Sequence, residues 1–488
     1  MAAASADSLV HDVIVGATSG VTDSLADDGR TSATTSATTS ATTLATTSAT
    51  TSATTSATAR AADKGRRALR QWVGVPAPSF VGGNQLKLLE GGNALFPRMR
   101  QAIDASTQEV WLATYIFHSD PAALVIADAL RRAAARGVAV HVVVDGFGSI
   151  ASLGFVRRFF AGSGVKLEVF RPLDRWYSWL QPGQLRRLHQ KLCVCDGLVA
   201  FVGGINIIDD RHDMNHGWTD QPRLDFAIEI SGPLAEPVGA TARAMWARAH
   251  LWRGWREELW AIARSKKPLV QVIDKVRELR GVPEQQHAES SSAPPTLPMR
   301  AAFVVRDNVR QRRAIEHSYV QAIRTAKTRI DIAVPYFYPG QRFRRALRQA
   351  ARRGVRVRLL LQGKVDYRFA ALAARALYDE LRGVGVQIFE YTPAFLHAKV
   401  ALIDDDWATV GSSNIDPLSL LLNLEANVVV LDAEFARELA TRFDTAFAVS
   451  AEVAGEFTRA GLRGWSRRAL VAWAANLYLR VAGITGRY

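Results

Sequence analysis

Cysteine is nearly absent from this sequence, which contains only Cys193 and Cys195 among its 488 residues. Two cysteines two positions apart on one predicted strand share a face and are badly placed for a mutual disulfide, so no disulfide framework is expected. No H-E-x-x-H or C-x-x-C pattern is present either, and we therefore expect neither a bound metal nor another cofactor. Both cysteines are interpreted as small packing residues in the core.

Long apolar segments are also missing. No run reaches the ~20 residues that span a bilayer, and the segment Ala469 to Ile484 is interrupted by Arg480. The N-terminal residues show neither the apolar core of a secretory signal nor the early arginines of a transit peptide. Any membrane association is therefore expected to be peripheral, with residues 461–488 forming an amphipathic helix that lies either in the interface or against the folded core.

Acidic residues are outnumbered, since 46 aspartate and glutamate residues stand against 61 lysine and arginine residues, for a net charge of +15. Such a charge favours a polyanionic partner, either nucleic acid or an anionic membrane surface. Aromatic residues mixed with arginine in residues 171–188 favour the membrane surface, because tryptophan and tyrosine concentrate at lipid interfaces. A second tryptophan-rich segment, Thr241 to Arg264, has helical spacing and is better interpreted as a helix packed on the core.

Composition and periodicity divide the chain into five parts. A tract rich in threonine, serine and alanine, without apolar periodicity, predicts a disordered extension at the N-terminus. Strand patterns then alternate with helix patterns in two similar series, which predicts two similar α/β halves, each with a mixed and mostly parallel sheet flanked by helices. The predicted parts are the extension with a basic segment (1–78), the first half (79–280), a polar linker (281–298), the second half (299–460) and the C-terminal helix (461–488).

A short polar motif occurs once in each half, in matched register. It places a lysine two residues after a histidine and an aspartate five residues after the lysine, and a glycine-containing turn that ends in asparagine follows. The two copies consist of His189, Lys191, Asp196 and Asn206 in the first half and His397, Lys399, Asp404 and Asn414 in the second. One such pattern can arise by chance, whereas two with the same interval from histidine to asparagine indicate a duplicated functional element.

Paired histidines and lysines of this kind suit chemistry on an anionic phosphodiester. One histidine can attack phosphorus while the other protonates the leaving alcohol, and the lysines neutralise the phosphoryl oxygens with added hydrogen bonds from the asparagines. A nucleophilic histidine also needs an acceptor for its second ring N–H, which fixes its tautomer. Asp225 and Glu425, each on a strand pattern after the glycine turn, are assigned that orienting role.

These features resemble the phospholipase D superfamily, and the segments HQKLCVCD with GGIN, HAKVALID with GSSN, YIFHSD and PYFYPG resemble the bacterial cardiolipin synthases within it. The resemblance covers the chain from Ser79 onward and implies one active site at the interface of the two halves, with His189 as nucleophile and His397 as acid and base. In that family the motif aspartates, here Asp196 and Asp404, are usually structural ion-pair partners, and we include both in the predicted catalytic motif. The N-terminal transmembrane helices of many cardiolipin synthases have no counterpart here, which indicates the branch without them.

The predicted function is transfer of a phosphatidyl group between glycerophospholipids, typically two phosphatidylglycerols giving cardiolipin and glycerol, by an enzyme peripheral on the cytoplasmic side of the cell inner membrane. Phospholipid substrates and an anionic membrane surface are the expected partners; no nucleic acid is expected, and the sequence indicates no protein partner. Two alternatives stay open: a hydrolase of the same superfamily, either a phospholipase D or a nuclease, and a non-enzymatic basic membrane-binding scaffold. Replacing His397 with alanine would abolish either enzyme and leave the scaffold function intact.

Overall fold

The computed structural model describes residues 78–172, 186–263, 299–307, 311–364, 377–416 and 423–454, and for 252–263 it describes the backbone only. All of these residues belong to one compact unit, Val75–Tyr488. The predicted N-terminal extension, linker and C-terminal helix lie outside the described residues, as does most of the aromatic–arginine segment 171–188.

The first half contains a seven-stranded mixed sheet with helices packed on it. Its elements are β1 (Gln85–Glu90), α1 (Gly91–Ala105), β2 (Glu109–Thr114), α2 (Pro121–Ala135), β3 (Ala139–Asp145), α3 (Leu153–Phe160), β4 (Lys166–Phe170), β5 (Leu192–Cys195), β6 (Val199–Gly203), β7 (His212–Asp213), β8 (Gly217–Trp218), β9 (Phe226–Ser231) and α4 (Ala235–Ala263). The strand order is β1-β9-β6-β5-β2-β3-β4, in which β2, β3 and β4 run parallel and the other neighbouring pairs are antiparallel. Strands β7 and β8 form a separate two-stranded ribbon.

The second half repeats this plan in an eight-stranded sheet. Its elements are β10 (Arg300–Arg306), α5 (Ala314–Thr325), β11 (Arg329–Val334), α6 (Gln341–Arg352), β12 (Arg356–Gln362), α7 (Tyr378–Arg382), β13 (Gln387–Tyr391), β14 (Val400–Ile403), β15 (Trp407–Gly411), β16 (Glu425–Leu431), α8 (Ala433–Ala448) and β17 (Ala451–Glu452). The strand order is β10-β16-β15-β14-β11-β12-β13-β17, and the parallel pairs are β11–β12 and β12–β13.

The predicted fold class, two α/β halves with mixed sheets flanked by helices, is confirmed, but the sheets are not mostly parallel. The parallel strands are those that the strand–helix alternation predicted, because a crossover helix returns the chain to run in the same direction. The strands after the motifs are joined instead by short turns, as between β5 and β6, and a short turn requires an antiparallel pair. Alternation along one strand does not reveal the direction of its neighbour, so the sequence pattern overestimated the parallel share.

The motif histidines and lysines lie just before a strand rather than within it. The alternation of polar and apolar residues in the segment HAKVALI favours a strand that includes His397 and Lys399, whereas β14 begins at Val400. In the first half β5 likewise begins at Leu192, directly after Lys191. The motif side chains therefore sit at the strand ends, where they meet the opposite half.

The core joins the two halves. Of the apolar clusters in the described residues, one lies in the first half and one in the second, and a third mixes both. In this shared cluster Val194 and Ile228 of the first half pack with Val400 and Val428 of the second, and all four are at most 1% exposed. Burying a side chain of this size stabilises a protein by roughly 1.5–3 kcal/mol, so each half owes part of its stability to the other.

No helix in the described part of the chain has both the length and the hydropathy that a membrane crossing requires. The helix α4 has 29 residues, but arginine and glutamate recur along its sequence.

Candidate active site

Each half supplies backbone acceptors to the motif of the other half. Isolated β-bridges pair Leu188 with Leu424 and Leu224 with Leu396. In each pair one residue directly precedes a motif histidine, and the other directly precedes the orienting carboxylate of the opposite half. The N–H of His189 donates to the carbonyl of Leu424 at 3.0 Å, and the N–H of His397 donates to the carbonyl of Leu224 at 2.8 Å. Both histidines are therefore held against the chain of the opposite half.

The two orienting carboxylates pair with the histidines across the halves. His189 Nδ1 lies 3.0 Å from Glu425 Oε2, and His397 Nδ1 lies 2.5 Å from Asp225 Oδ2. Both carboxylates are at most 2% exposed, whereas the histidine side chains are 12% and 23% exposed. A carboxylate on Nδ1 keeps the proton there and leaves the lone pair on Nε2, so each imidazole can act through its outer nitrogen. The structure thus places both predicted orienting residues beside a histidine, and the partner comes from the other half.

The two motif lysines are buried beside the histidines. Lys191 Nζ donates to the carbonyl of His189 at 2.7 Å, and Lys399 Nζ donates to the carbonyl of His397. Burial lowers the pKa of Lys191 to about 8 and that of Lys399 to about 7, partly offset by the nearby Glu425 and Asp225 carboxylates. A buried ammonium of this kind is stabilised by an anionic ligand, which is the property that a phosphate site needs.

Burial also lowers the pKa of both histidines. For His189 the Glu425 carboxylate partly opposes this effect, whereas for His397 the positive charges of Lys399 and Arg223 add to it and hold the pKa well below 6.5. Both imidazoles are therefore neutral at pH 7 in the unliganded protein. A phosphodiester anion between the lysines offsets their charge and makes protonation of one imidazole more favourable.

The predicted asparagines differ in their contacts. Asn206 Oδ1 accepts from the N–H of Ile116 at 3.2 Å, which orients its carboxamide. Asn414 is 7% exposed, and its Oδ1 is buried without a hydrogen-bond partner among the described residues. Because an unpaired buried amide is costly, and because the amide presents a donor in the same place when it is rotated, Asn414 is suited to a phosphoryl oxygen.

The structure does not bring Asp196 and Asp404 into this site. Each aspartate stands seven positions after its motif histidine along extended chain, a distance on the order of 20 Å. Asp196 accepts from the N–H groups of 107–109 at 2.8–2.9 Å, and Asp404 accepts from those of 327–329 at 2.8–3.2 Å. Their φ values of 53° and 51° lie in the left-handed region, which aspartate tolerates in turns. The Asp196 carboxylate accordingly joins the turn after β5 to the loop before β2, and the Asp404 carboxylate joins the turn after β14 to the loop before β11. Both accept from backbone N–H groups and neither contacts a motif lysine.

The glycines of the motif turns are required by close packing. A Cβ on Gly204 would overlap the carboxylate of Asp225, and a Cβ on Gly411 would overlap the side chain of Asn427. The predicted glycine turn therefore keeps space for the carboxylate that orients His397.

Sequence reasoning missed three polar residues that surround the motifs. Ser412 Oγ donates to Glu425 Oε2 at 2.5 Å. Asp145, fully buried, accepts the backbone N–H just before the first motif at 2.9 Å, and burial raises the pKa of its carboxyl group. Arg223 contributes positive charge next to His397. A charged residue at the end of the apolar strand β3 was a usable signal for Asp145, while Ser412 and Arg223 lay close to residues already selected.

The chain is also similar to known proteins in sequence. Residues 99–218 and 319–447 match the family model described as "Cardiolipin synthase, PLD-like domain". Cardiolipin synthase B of Escherichia coli K12 is 37% identical over 372 residues, which cover 74% of this chain and 80% of that protein. Cardiolipin synthase A of Pseudomonas putida GB-1 is 30% identical over 395 residues, which cover 80% of this chain and 74% of that protein.

The fold is also similar to a solved structure, that of phosphatidylserine synthase from Haemophilus influenzae Rd KW20. The TM-score is 0.56, and the match covers 86% of this chain and 98% of that one. The sequences are 12% identical, so this likeness bears on the fold alone.

Proposed function

Because this chain belongs to the cardiolipin synthase family of phospholipase D-like proteins, it is a phosphatidyltransferase, and we propose that it converts two phosphatidylglycerol molecules into cardiolipin and glycerol. The observation that carries the proposal is the crossed pairing of the two histidines, each with its Nδ1 against a buried carboxylate of the opposite half. Such a pair supplies a nucleophile and an acid at one phosphodiester, which is what transfer through a covalent intermediate requires.

In the first step His189 Nε2 attacks the phosphorus of the donor lipid. A P–N bond forms, the P–O bond to the glycerol headgroup breaks, and His397 gives its Nε2 proton to the departing alkoxide. Glu425 stabilises the positive charge that develops on His189. Lys191 and Lys399 stabilise the negative charge on the non-bridging phosphoryl oxygens, where fixed cations in a buried site are most effective.

In the second step the headgroup hydroxyl of another phosphatidylglycerol occupies the place of the departed glycerol. His397, now neutral, takes the hydroxyl proton as the oxygen attacks phosphorus. The P–N bond breaks, cardiolipin is released, and both histidines return to their starting states. One phosphodiester is broken and one is made, so the exchange needs no nucleotide to drive it.

The enzyme is proposed to act as a peripheral protein on the cytoplasmic side of the inner membrane. Its net charge of +15 favours an anionic lipid surface. The loop after β3, which begins at Gly146, exposes Phe147 by 52% and Ile150 by 57%, and the Arg187 guanidinium lies 5.3 Å from the Phe147 ring centre. Apolar side chains beside an arginine, close to the first motif, suit contact with lipid at the entrance to the site.

The proposal is tested with purified full-length protein and vesicles of phosphatidylglycerol, alone and mixed with phosphatidylethanolamine. Products are identified by mass spectrometry for the wild type and for His189→Ala, His397→Ala and the control His317→Ala, an exposed histidine on α5. We expect cardiolipin from the wild type and the control and none from the motif variants. Phosphatidic acid as the only product would identify a hydrolase instead, and cleavage of single-stranded DNA without lipid turnover would identify a nuclease.

A further inference from the structure

Two histidines and an aspartate converge outside the transfer site. His118 and Asp120 lie in the loop between β2 and α2, and His212 lies in β7. One ligand atom from each of the three lies within 4.8 Å of the other two. The cluster takes no part in the two transfer steps.

The distances within this cluster suit a tetrahedral metal ion. His118 Nδ1 lies 3.2 Å from Asp120 Oδ2, and His212 Nδ1 lies 3.5 Å from the same oxygen. Ligands at the usual Zn²⁺ bond length of ~2.0–2.1 Å stand about 3.3 Å from one another around a tetrahedral ion. Each histidine nitrogen therefore stands at ligand spacing from the carboxylate oxygen, and the two nitrogens lie within 4.8 Å of each other, with a fourth position left for water.

Hydrogen bonding within the cluster accounts for only part of this arrangement, since His212 Nδ1 is hydrogen-bonded to Asp120 Oδ2 at 3.5 Å whereas His118 Nδ1 is not. His118 Nδ1 is buried and has no hydrogen-bond partner among the described residues, although Asp120 Oδ2 is near, because the two are not aligned for one. Asp120 is 5% exposed and its carboxylate is already oriented, since it accepts from the N–H of Ala123 at 2.9 Å and from that of Asp209 at 3.0 Å. Outer hydrogen bonds that fix a carboxylate are typical of metal ligands.

The fold itself does not require these residues. The N–H of His118 donates to Ile207 O, and in the second half the N–H of Tyr338 donates to Ile415 O in the same way, so Tyr338 occupies the position of His118. Gly340 is the N-cap of α6, where Asp120 is the N-cap of α2. The second half therefore forms the same loop without either ligand.

We propose that His118, Asp120 and His212 bind one divalent transition-metal ion, of which Zn²⁺ is the best fit. Imidazole nitrogens with one carboxylate form a common zinc ligand set, and the carboxylate disfavours an anion in the same place.

Such an ion would fasten the β7–β8 ribbon to the end of β2. The ribbon pairs only two residues on each strand, and an isolated two-stranded ribbon is marginally stable. The carbonyl of His212 accepts from Arg223 Nη2 at 2.7 Å, and Arg223 is one of the cations that, together with burial, lower the pKa of His397. The metal site thus contacts the transfer site through one arginine while supplying no reacting group.

The test uses full-length protein without a histidine tag, stripped with a chelator and then dialysed against Zn²⁺. Bound metal is measured by mass spectrometry, and Co²⁺ replaces Zn²⁺ for a visible absorption spectrum that reports tetrahedral ligands. The variants are His118→Gln and His212→Gln, and the matched control is His216→Gln on the same ribbon, whose Nδ1 lies 2.8 Å from its own aspartate, Asp213. The variants His189→Gln and His397→Gln show whether the ion sits in the transfer site instead.

We expect one equivalent of Zn²⁺ in the wild type and in His216→Gln. In His118→Gln and His212→Gln the affinity for Zn²⁺ should be weakened at least about 100-fold, since even the loss of a residue that only hydrogen-bonds to a ligand costs about 10–100-fold. Zn²⁺ should raise the melting temperature of the wild type and leave that of His118→Gln unchanged, while the two melt alike in chelator. Absence of stoichiometric metal, unchanged binding by His118→Gln and His212→Gln, or loss of the metal in His189→Gln would each overturn the proposal.

Discussion

At the scale of single residues, the carboxylate behind each histidine decides which ring nitrogen faces the substrate. Glu425 contacts Nδ1 of His189, and Asp225 contacts Nδ1 of His397. The two carboxylates hold equivalent positions in the two halves, but each orients a different histidine. If His189 is the nucleophile, Glu425 supports attack on phosphorus and Asp225 supports proton transfer to the leaving group. The two carboxylates can therefore be distinguished by the leaving group of the donor.

Replacing either carboxylate with its amide is expected to lower kcat on phosphatidylglycerol by about 10²–10⁴-fold, the scale of a lost tautomer-fixing carboxylate. With a phosphatidyl ester of p-nitrophenol, whose leaving group needs no proton, Asp225→Asn should recover the rate of p-nitrophenol release while Glu425→Gln should not. Stopped-flow absorbance measures this release. Recovery by Glu425→Gln alone would reverse the roles of the two histidines.

The buried lysines predict the pH dependence. The pKa is about 8 for Lys191 and about 7 for Lys399, so both lose charge as pH rises through that range and the phosphodiester loses its counter-charge. Because kcat/KM reports the free enzyme, in which the pKa of the proton donor His397 lies well below 6.5, kcat/KM should already decline below pH 7 as His397 loses its proton. The decline should become steeper from about pH 7 upward as the lysines lose charge. The low-pH decline should lie below 6.5, since the nucleophilic histidine must be neutral.

Initial rates on a soluble short-chain donor, at constant ionic strength, measure this profile. In Lys399→Arg the guanidinium stays charged, so the steeper part of the decline should move to higher pH even if the absolute rate is lower. A flat profile from pH 7 to 9 in the wild type would contradict the account of the lysines.

At the scale of elements, the aspartate of each motif belongs to a turn. Asp196→Ala and Asp404→Ala remove a carboxylate that accepts several backbone N–H groups and place a residue that disfavours positive φ. We expect each to lower the free energy of unfolding by roughly 1–3 kcal/mol and to leave kcat of the folded enzyme nearly unchanged. The amide variants Asp196→Asn and Asp404→Asn, which tolerate positive φ and keep one acceptor, should recover part of the loss.

The stability cost of Asp196→Ala should also depend on pH with a definite sign. Backbone hydrogen bonds lower the pKa of Asp196 in the folded protein although burial opposes them, so its contribution is present above the unfolded pKa of about 3.9 and is lost as pH falls through the lower folded value. Denaturant titrations of the wild type and of Asp196→Ala at pH 7 and near pH 3 measure the difference in unfolding free energy, which should be smaller near pH 3. A large fall in kcat at pH 7, with stability unchanged, would instead return Asp196 to the catalytic set.

At the scale of the whole molecule, the shared apolar cluster makes the two halves one cooperative unit. Ile228→Ala, at a fully buried position in that cluster, should cost about 2–5 kcal/mol. Hydrogen exchange followed by mass spectrometry should show lowered protection in β14 to β16 of the second half as well as in the first. Val125→Ala, at a residue 39% exposed on α2, is the control and should change little. Protection lost from the first half alone would mean that the halves unfold separately.

The sequence predicted what is local and missed what is distant. The two motifs and the strand–helix alternation each lie within a short stretch, so residues such as His189 and elements such as β2 were within reach. The partner of His189 was not, because Glu425 is brought to it by a bridge between segments far apart in the chain. The same reason hid the cluster of His118 and His212. The direction of the strands joined by short turns was missed for another reason, because alternation along one strand does not reveal the direction of its neighbour.

The central claim is that two histidines from different halves form one transferase site with His189 as the nucleophile. It is tested most directly by trapping the intermediate from phosphorus-labelled phosphatidyl-p-nitrophenol with a rapid alkaline quench, in the absence of an acceptor lipid. We predict about one label per chain on His189 in His397→Ala, where the base for the second step is missing, and no label in His189→Ala. Label on His397, or equal labelling of both variants, would contradict the account.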